Sequence, residues 1–352
     1  MKRLGRGDSV GRYGDRAGTT IAGPRASTPG SARRLPPPQP VRTTSGSHGL
    51  LPRATSPAIT RRSRLRAALV LLRPRQWVKS VFVLIAPTAV DPAALLRHVV
   101  SVLAAVVTFT AASAAVYVLN DWLDRERDRL HPVKRHRPLA SGQVGSLGAL
   151  LLIASCAVMA AAWGATLPPA VQAVVAGYAM LNLAYSLLLK HYPLVDVSVV
   201  AVGFVLRAVA GTLAVGVPVN PALIITVYCA SLLMSLGKRR HELVTANLRG
   251  QAAARRPALT GYSVPLLDQL VAVLLAATLI SYELFVLSVH HPHADVTAVV
   301  TTPLAVFALS RYAQLLAVHR SGGEPGRDVL TDAPLVINAV LWLTCVTVLW
   351  LL

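Results

Sequence analysis

The chain has 352 residues, 54% hydrophobic and only 14% charged, with a formal net charge of +20. Charge this sparse, with apolar residues in blocks of about 20, excludes a water-soluble enzyme and indicates helices that cross a bilayer. The excess charge also excludes a nucleic-acid binder: residues 1–66 hold 14 Lys and Arg against Asp8 and Asp15, the rest lies in loops between apolar blocks, and no basic patch is interleaved with aromatic residues.

Residues 1–63 are rich in Arg, Gly, Pro, Ser and Thr and carry PPPQP at 36–40. Such a segment cannot bury a core, so a disordered basic tail is expected. It has no apolar stretch of signal-peptide length. The ordered domain, 64–352, opens with a basic segment ending RPRQWVK. There Arg73, Arg75 and Lys79 flank Trp77, a combination suited to the membrane interface.

Hydropathy then places spans at about 76–94, 96–119, 145–167, 168–189, 194–215, 221–236, 264–289, 296–318 and 334–352. The expected fold is an all-α, polytopic membrane protein of about nine transmembrane helices. Loops that follow even-numbered spans carry nearly all the cations: the Arg125–Arg137 stretch, Lys190, Lys238 to Arg256, and Arg311 to Arg327. Loops that follow odd-numbered spans carry only Arg97. This bias predicts a cytoplasmic N-terminus, an external C-terminus and the charged loops inside. Cys156, Cys229 and Cys345 fall inside apolar blocks and are expected to be packing residues.

The second span delivers the stretch NDWLDRERDRLHPVKRHRPLASG, 120–142. Asp121, Asp124 and Asp128 are spaced by three and four residues, which puts them on one helix face. Clustered acids repel one another unless a cation lies between them, and a hard divalent ion such as Mg²⁺, bridging to a phosphate, is the simplest such cation. Lys134, Arg135 and Arg137 follow and can hold phosphate oxygens directly. The alternative is a self-paired surface loop in which Asp124 and Asp128 meet Arg127 and Arg129. Further polar groups on the same side are Tyr185, Lys190 and Asp196 in YSLLLKHYPLVD, and Lys238, Arg239, Arg240 and Glu242 in SLGKRRHEL. Arg207 lies well inside the fifth span, where a charge lines a polar cavity or finds a partner such as Glu283. His290, His291 and His293, in a short loop with only Asp295 beside them, do not make a metal site. No Gly-rich phosphate loop, nucleophile elbow or zinc-helix motif is present.

The 120–142 stretch resembles the first Asp-rich motif, NDxxDxxxD, of the UbiA-type intramembrane prenyltransferase superfamily. RPRQWVK, YSLLLK, DVSVVAVGFVLRAVAG and SLGKRRHEL resemble its branch that transfers phosphoribosyl groups to decaprenyl phosphate. The similarity covers residues 73–352. It implies nine helices around a laterally open cavity capped by cytoplasmic loops, a bacterial plasma membrane as the location, and a place in cell-envelope arabinan synthesis. It also implies Mg²⁺ on Asp121, Asp124 and Asp128 with Asn120 assisting, phosphoribosyl diphosphate and a polyprenyl phosphate as substrates, and Arg73, Lys79, Lys190, Lys238, Arg239 and Arg240 as candidates for the remaining phosphates. Most of the superfamily carries a second acidic cluster after the sixth helix; here that place reads GKRRHEL, with Glu242 as its one acid. A donor diphosphate on one metal site plus a lipid monophosphate suits this layout better than a prenyl diphosphate with an aromatic acceptor, the competing enzyme reading. A transporter is the competing reading of another class, although no inverted repeat or paired broken helices are visible. Membrane lipid is an expected partner, nucleic acid is not, and a homo-oligomer is compatible with this reading.

Overall fold

A computed structural model describes residues 61–248, 257–289, 291–318, 322–323 and 325–351, and its regular elements are all helical. The expected basic tail lies outside the described residues as far as residue 60. The first helix, α1 (Arg61–Leu72), is followed by a 3-10 turn (Pro74–Val81), α2 (Phe82–Val90), α3 (Pro92–Arg97), α4 (Val99–Leu123) and the short α5 (Arg125–Arg129). After another 3-10 turn (Lys134–His136) come α6 (Ser146–Gly164) and α7 (Pro169–Leu187). The turn Leu189–His191 leads to α8 (Val195–Ala214) and α9 (Pro221–Leu248), and the turn Pro257–Gly261 to α10 (Val264–Ser288), α11 (Ala294–Ala317), α12 (Pro325–Thr331) and α13 (Ala333–Leu351).

Eight of these helices, α4, α6 to α11 and α13, are long and apolar enough to cross a membrane. The expected first span is not one such helix: its place is taken by the 3-10 turn running into α2. A 3-10 helix rises about 2.0 Å per residue against 1.5 Å for an α-helix, so the two together rise roughly 30 Å, the thickness of a bilayer's apolar core. The chain is a multi-pass membrane protein, and large apolar side chains such as Leu151, Val158, Met180, Val299 and Leu341 cover its outside.

Helix ends follow local chemistry. Asp91 caps α3 by accepting from the Ala94 N–H at 2.8 Å, with Pro92 at the first position. Ser263 caps α10 in the same way through the Leu266 N–H. Two helices extend beyond the expected spans: α4 runs through Leu123, so Asn120 and Asp121 lie in its last turn, and α9 runs to Leu248, so Lys238 to Glu242 are helical.

Small residues let the interior close. On α4, Ala104, Ala105, Ala111, Ala112 and Ala114 are buried, and this helix meets α6, α7 and α8. Val83 of α2, Phe109 of α4, Val171 and Tyr178 of α7 and Ala210 of α8 form one buried cluster. Gly211 permits the contact between α2 and α8. Pro87 has no N–H to offer the Val83 carbonyl four residues back, so that carbonyl faces α8, and a Cβ at position 211 would overlap it. Gly211→Ala is therefore expected to force the two helices apart and destabilise the protein by about 1–3 kcal/mol. A lowered thermal midpoint in detergent checks this.

Candidate active site

The last turn of α4 and the loop after it build the site. Asp121 and Asp128 are buried, at 4% and 3% exposure, although both are carboxylates. Arg137 Nη1 donates to Asp121 Oδ1 at 2.9 Å and to Asp128 Oδ2 at 2.8 Å, so one guanidinium nitrogen sits between the two acids. The loop returns Arg137 to this position because Pro138 holds the preceding residue extended, with φ −62° and ψ 145°. Arg129 Nε then donates to the Ala140 carbonyl at 3.2 Å. Lys134 Nζ stands 4.0 Å from Asp128 Oδ1.

Arg73 supplies the second cation. Its backbone is left-handed, φ 52° and ψ 61°, a conformation costing a non-glycine residue roughly 1–2 kcal/mol. That bend puts Arg73 Nη2 2.7 Å from Asp121 Oδ1 and its guanidinium 5.0 Å from the Tyr117 ring centroid. Arg129 pairs with Glu126 at 2.8 Å. The loop does pair with itself, but its aspartates meet other cations than Arg127 and Arg129: Asp121 and Asp128 meet Arg137, and Asp128 also meets Lys134.

Asp124 takes a different partner. Lys190 Nζ, from the turn after α7, lies 2.9 Å from each of its carboxylate oxygens. Among the described residues no three His, Cys, Asp or Glu side chains gather around one point. The donor set is nevertheless of hard oxygens, with two carboxylates already flanking one positive nitrogen. Mg²⁺ characteristically takes one or two carboxylates and completes its shell with water and substrate phosphate, so the Asp121–Asp128 pair fits a substrate-bridged ion and not an all-protein cage.

The remaining cations divide. Arg239 of α9 is buried, donating to Asp196 Oδ2 at 2.8 Å and to Glu242 Oε2 at 2.7 Å. Tyr185, near the end of α7, is half-buried in the neighbourhood of Arg239. Arg240 turns towards α10 and α11, bonding Asp268 and the Leu316 carbonyl. Lys238 and Arg135 are exposed, and Arg135 Nε reaches His136 Nε2 at 3.4 Å. Arg207 does not pair with Glu283, which accepts instead from Thr302 Oγ1 at 2.8 Å. Its partners are the Gly203 carbonyl, Ser113 Oγ and Tyr178 OH, at 2.7, 2.9 and 2.8 Å.

Tyr262, just before α10, is a participant that sequence reasoning missed. Its hydroxyl donates to Asp196 Oδ1 at 3.0 Å and accepts from the Leu194 N–H at 2.6 Å. Burial, and then the adjoining Asp196 carboxylate, push this hydroxyl up to about 12, so it stays protonated and keeps donating. No sequence signal links Tyr262 to a carboxylate 66 residues away.

An all-helical membrane bundle with buried acids held by arginines at one end is the class of protein that the fold and the site define. The sequence signature of the UbiA prenyltransferase family matches residues 80–324, and the chain belongs to that family: it is a membrane-embedded transferase. It is similar to the decaprenyl-phosphate phosphoribosyltransferase of Corynebacterium glutamicum, 34% identical over 281 residues, covering 78% of this chain and 84% of that protein. The Mycobacterium tuberculosis protein of the same name is also 34% identical, over 282 residues, covering 78% of this chain and 91% of that one. Among solved structures, a UbiA homolog from Archaeoglobus fulgidus bound to GPP and Mg²⁺ shares the fold with a TM-score of 0.60 at 20% identity, over 81% of this chain and all of that one (100%).

Proposed function

We propose that this protein transfers the 5-phosphoribosyl group of phosphoribosyl diphosphate to a polyprenyl phosphate, such as decaprenyl phosphate, and releases pyrophosphate. One observation carries the choice of substrates. The end of α9 is cationic, and its one acid, Glu242, is engaged by Arg239, so the buried Asp121–Asp128 pair with nearby Asp124 is the acidic centre of the site. One such centre suits one metal-bound diphosphate, and the surrounding cations suit phosphates bound without metal. The names of the relatives point the same way.

Asp121, Asp124 and Asp128, with Asn120 beside them, would hold Mg²⁺ against the donor's diphosphate. The ion, when bound, offsets the charge that develops on pyrophosphate as the bond to C1 breaks. Arg137, Lys134 and Arg135 hold phosphate oxygens of the same donor, Arg137 exchanging its carboxylate bonds for phosphate ones. A lipid phosphate oxygen forms the new bond to C1 from the opposite face, and inversion results. That oxygen is anionic at neutral pH, so the site needs no general base. The alternation of basic loops supports an active site and N-terminus on the cytoplasmic side.

The purified chain in proteoliposomes, given Mg²⁺, labelled phosphoribosyl diphosphate and polyprenyl phosphate, is expected to yield a labelled lipid and pyrophosphate, read by mass spectrometry. A prenylated aromatic acceptor made from prenyl diphosphate would sink this reading. So would substrate flux without chemical conversion.

A further inference from the structure

Two cations face one aromatic ring inside the bundle with no carboxylate bonded to either among the described residues. Lys79, on the 3-10 turn before α2, holds Nζ 5.9 Å from the Phe204 ring centroid. It is half-buried, and its ammonium makes no hydrogen bond or ion pair among the described residues. Arg207 is 4% exposed, and its guanidinium carbon lies 5.6 Å from the same ring. Tyr178 and Phe109 cover it from other sides, at 4.6 and 5.7 Å. All three hydrogen-bond partners of Arg207 are neutral, and its Nε has none among the described residues. The charges that act on Lys79 are those of Arg207 and Arg73, both of its own sign.

Like charges repel strongly where water is scarce, and a buried cation without a counter-charge is costly. The arrangement becomes favourable when an anion arrives from outside the chain. Depth identifies the anion. Arg207 stands twelve residues along α8, roughly 18 Å from its start. Lys79 faces the same Phe204 ring as Arg207 and stands six residues along the 3-10 turn from the residue that pairs with Asp121. A soluble donor enters from the charged end of the bundle. A lipid whose tail lies among the helices brings its phosphate from the apolar side.

The geometry points to Lys79 as the contact for the acceptor lipid's phosphate, with Arg207 as a fixed charge positioned behind it across Phe204. This rests on the proposed transfer only for the identity of the lipid. The other chemistry with the same requirement is the donor's 5-phosphate, and the experiment separates the two.

The full chain in lipid nanodiscs is titrated with a polyprenyl monophosphate and with the uncharged polyprenol. Wild type is expected to bind the phosphate about 10- to 100-fold more tightly than the alcohol, the range of a charge-assisted hydrogen bond. Lys79→Gln loses that preference and Lys79→Arg retains most of it. Arg207→Met weakens the preference and Arg207→Lys restores it, whereas a merely structural role would be lost equally in both. In turnover, Lys79→Gln raises the KM for polyprenyl phosphate by a similar factor and leaves that for phosphoribosyl diphosphate unchanged. A phosphate preference that survives Lys79→Gln overturns the inference, as does a rise in the phosphoribosyl diphosphate KM instead. Binding is read without turnover, so a chain that makes no phosphoribosyl lipid can still show the preference, and the two readings fail separately.

Discussion

The Asp124→Asn protein is expected to insert into membranes at the wild-type level and to transfer phosphoribosyl groups at least about 100-fold more slowly. The two halves of this expectation come from the same geometry. Lys190 Nζ bonds both carboxylate oxygens of Asp124 at 2.9 Å, and the pair is partly open to solvent, with side-chain exposures of 18% for Lys190 and 26% for Asp124. Asparagine keeps one oxygen for Lys190, and a partly exposed ion pair contributes only about 1 kcal/mol, so the bundle should tolerate the change. What disappears is the negative charge that the proposed mechanism sets opposite a divalent ion and a diphosphate. Transfer assayed across a Mg²⁺ titration, beside expression and a thermal midpoint, tests it. Near-normal turnover would remove Asp124 from the metal site and leave it as the anchor of Lys190.

Much of the fold can be read from residue order because hydropathy is a local property. A run of about 20 apolar residues specifies a crossing whatever surrounds it, and eight of the expected spans stand as single long helices. The first span did not reveal its geometry. Nothing in RPRQWVK dictates a 3-10 turn instead of an α-helix; the choice accompanies the left-handed backbone at Arg73, whose guanidinium meets Asp121 on another helix.

The site was legible as a set of charges but not as a set of pairs. The spacing of Asp121, Asp124 and Asp128 predicts three acids on one helix face, but α4 ends at Leu123 and Asp128 lies in α5, and which cation each acid meets depends on partners 6 to 66 residues away. Arg207 shows the same limit. An arginine within a span demands polar company, and Glu283 was the acid at hand. The structure instead supplies Ser113 from α4, Tyr178 from α7 and a cage of rings, none of which carries a charge pattern that a sequence could display.

Asp196→Asn is expected to act in the opposite way to Asp124→Asn, with a loss of stability and little change in the KM of either substrate. Asp196 is 1% exposed at the start of α8, where a carboxylate also suits the helix dipole. One of its oxygens takes Arg239 Nε and the other takes the Tyr262 hydroxyl. Asparagine offers one acceptor to these two donors and turns an NH₂ group towards the one left over. The Tyr262 hydroxyl also accepts the N–H of Leu194, whose positive φ of 62° is strained for a leucine, so weakening Tyr262 releases the backbone that starts α8. Removing one partner of a buried ion pair costs roughly 3–5 kcal/mol, and because Arg239 keeps Glu242 the lower end, about 3 kcal/mol, applies. That corresponds to a fall of roughly 5–10 °C in the thermal midpoint in detergent. Tyr262→Phe should give a smaller fall in the same direction, since it removes the bridge but leaves the ion pair. If Asp196→Asn keeps its midpoint and loses its affinity for phosphoribosyl diphosphate, Asp196 and Arg239 face the substrate and are not the clamp between α8 and α9.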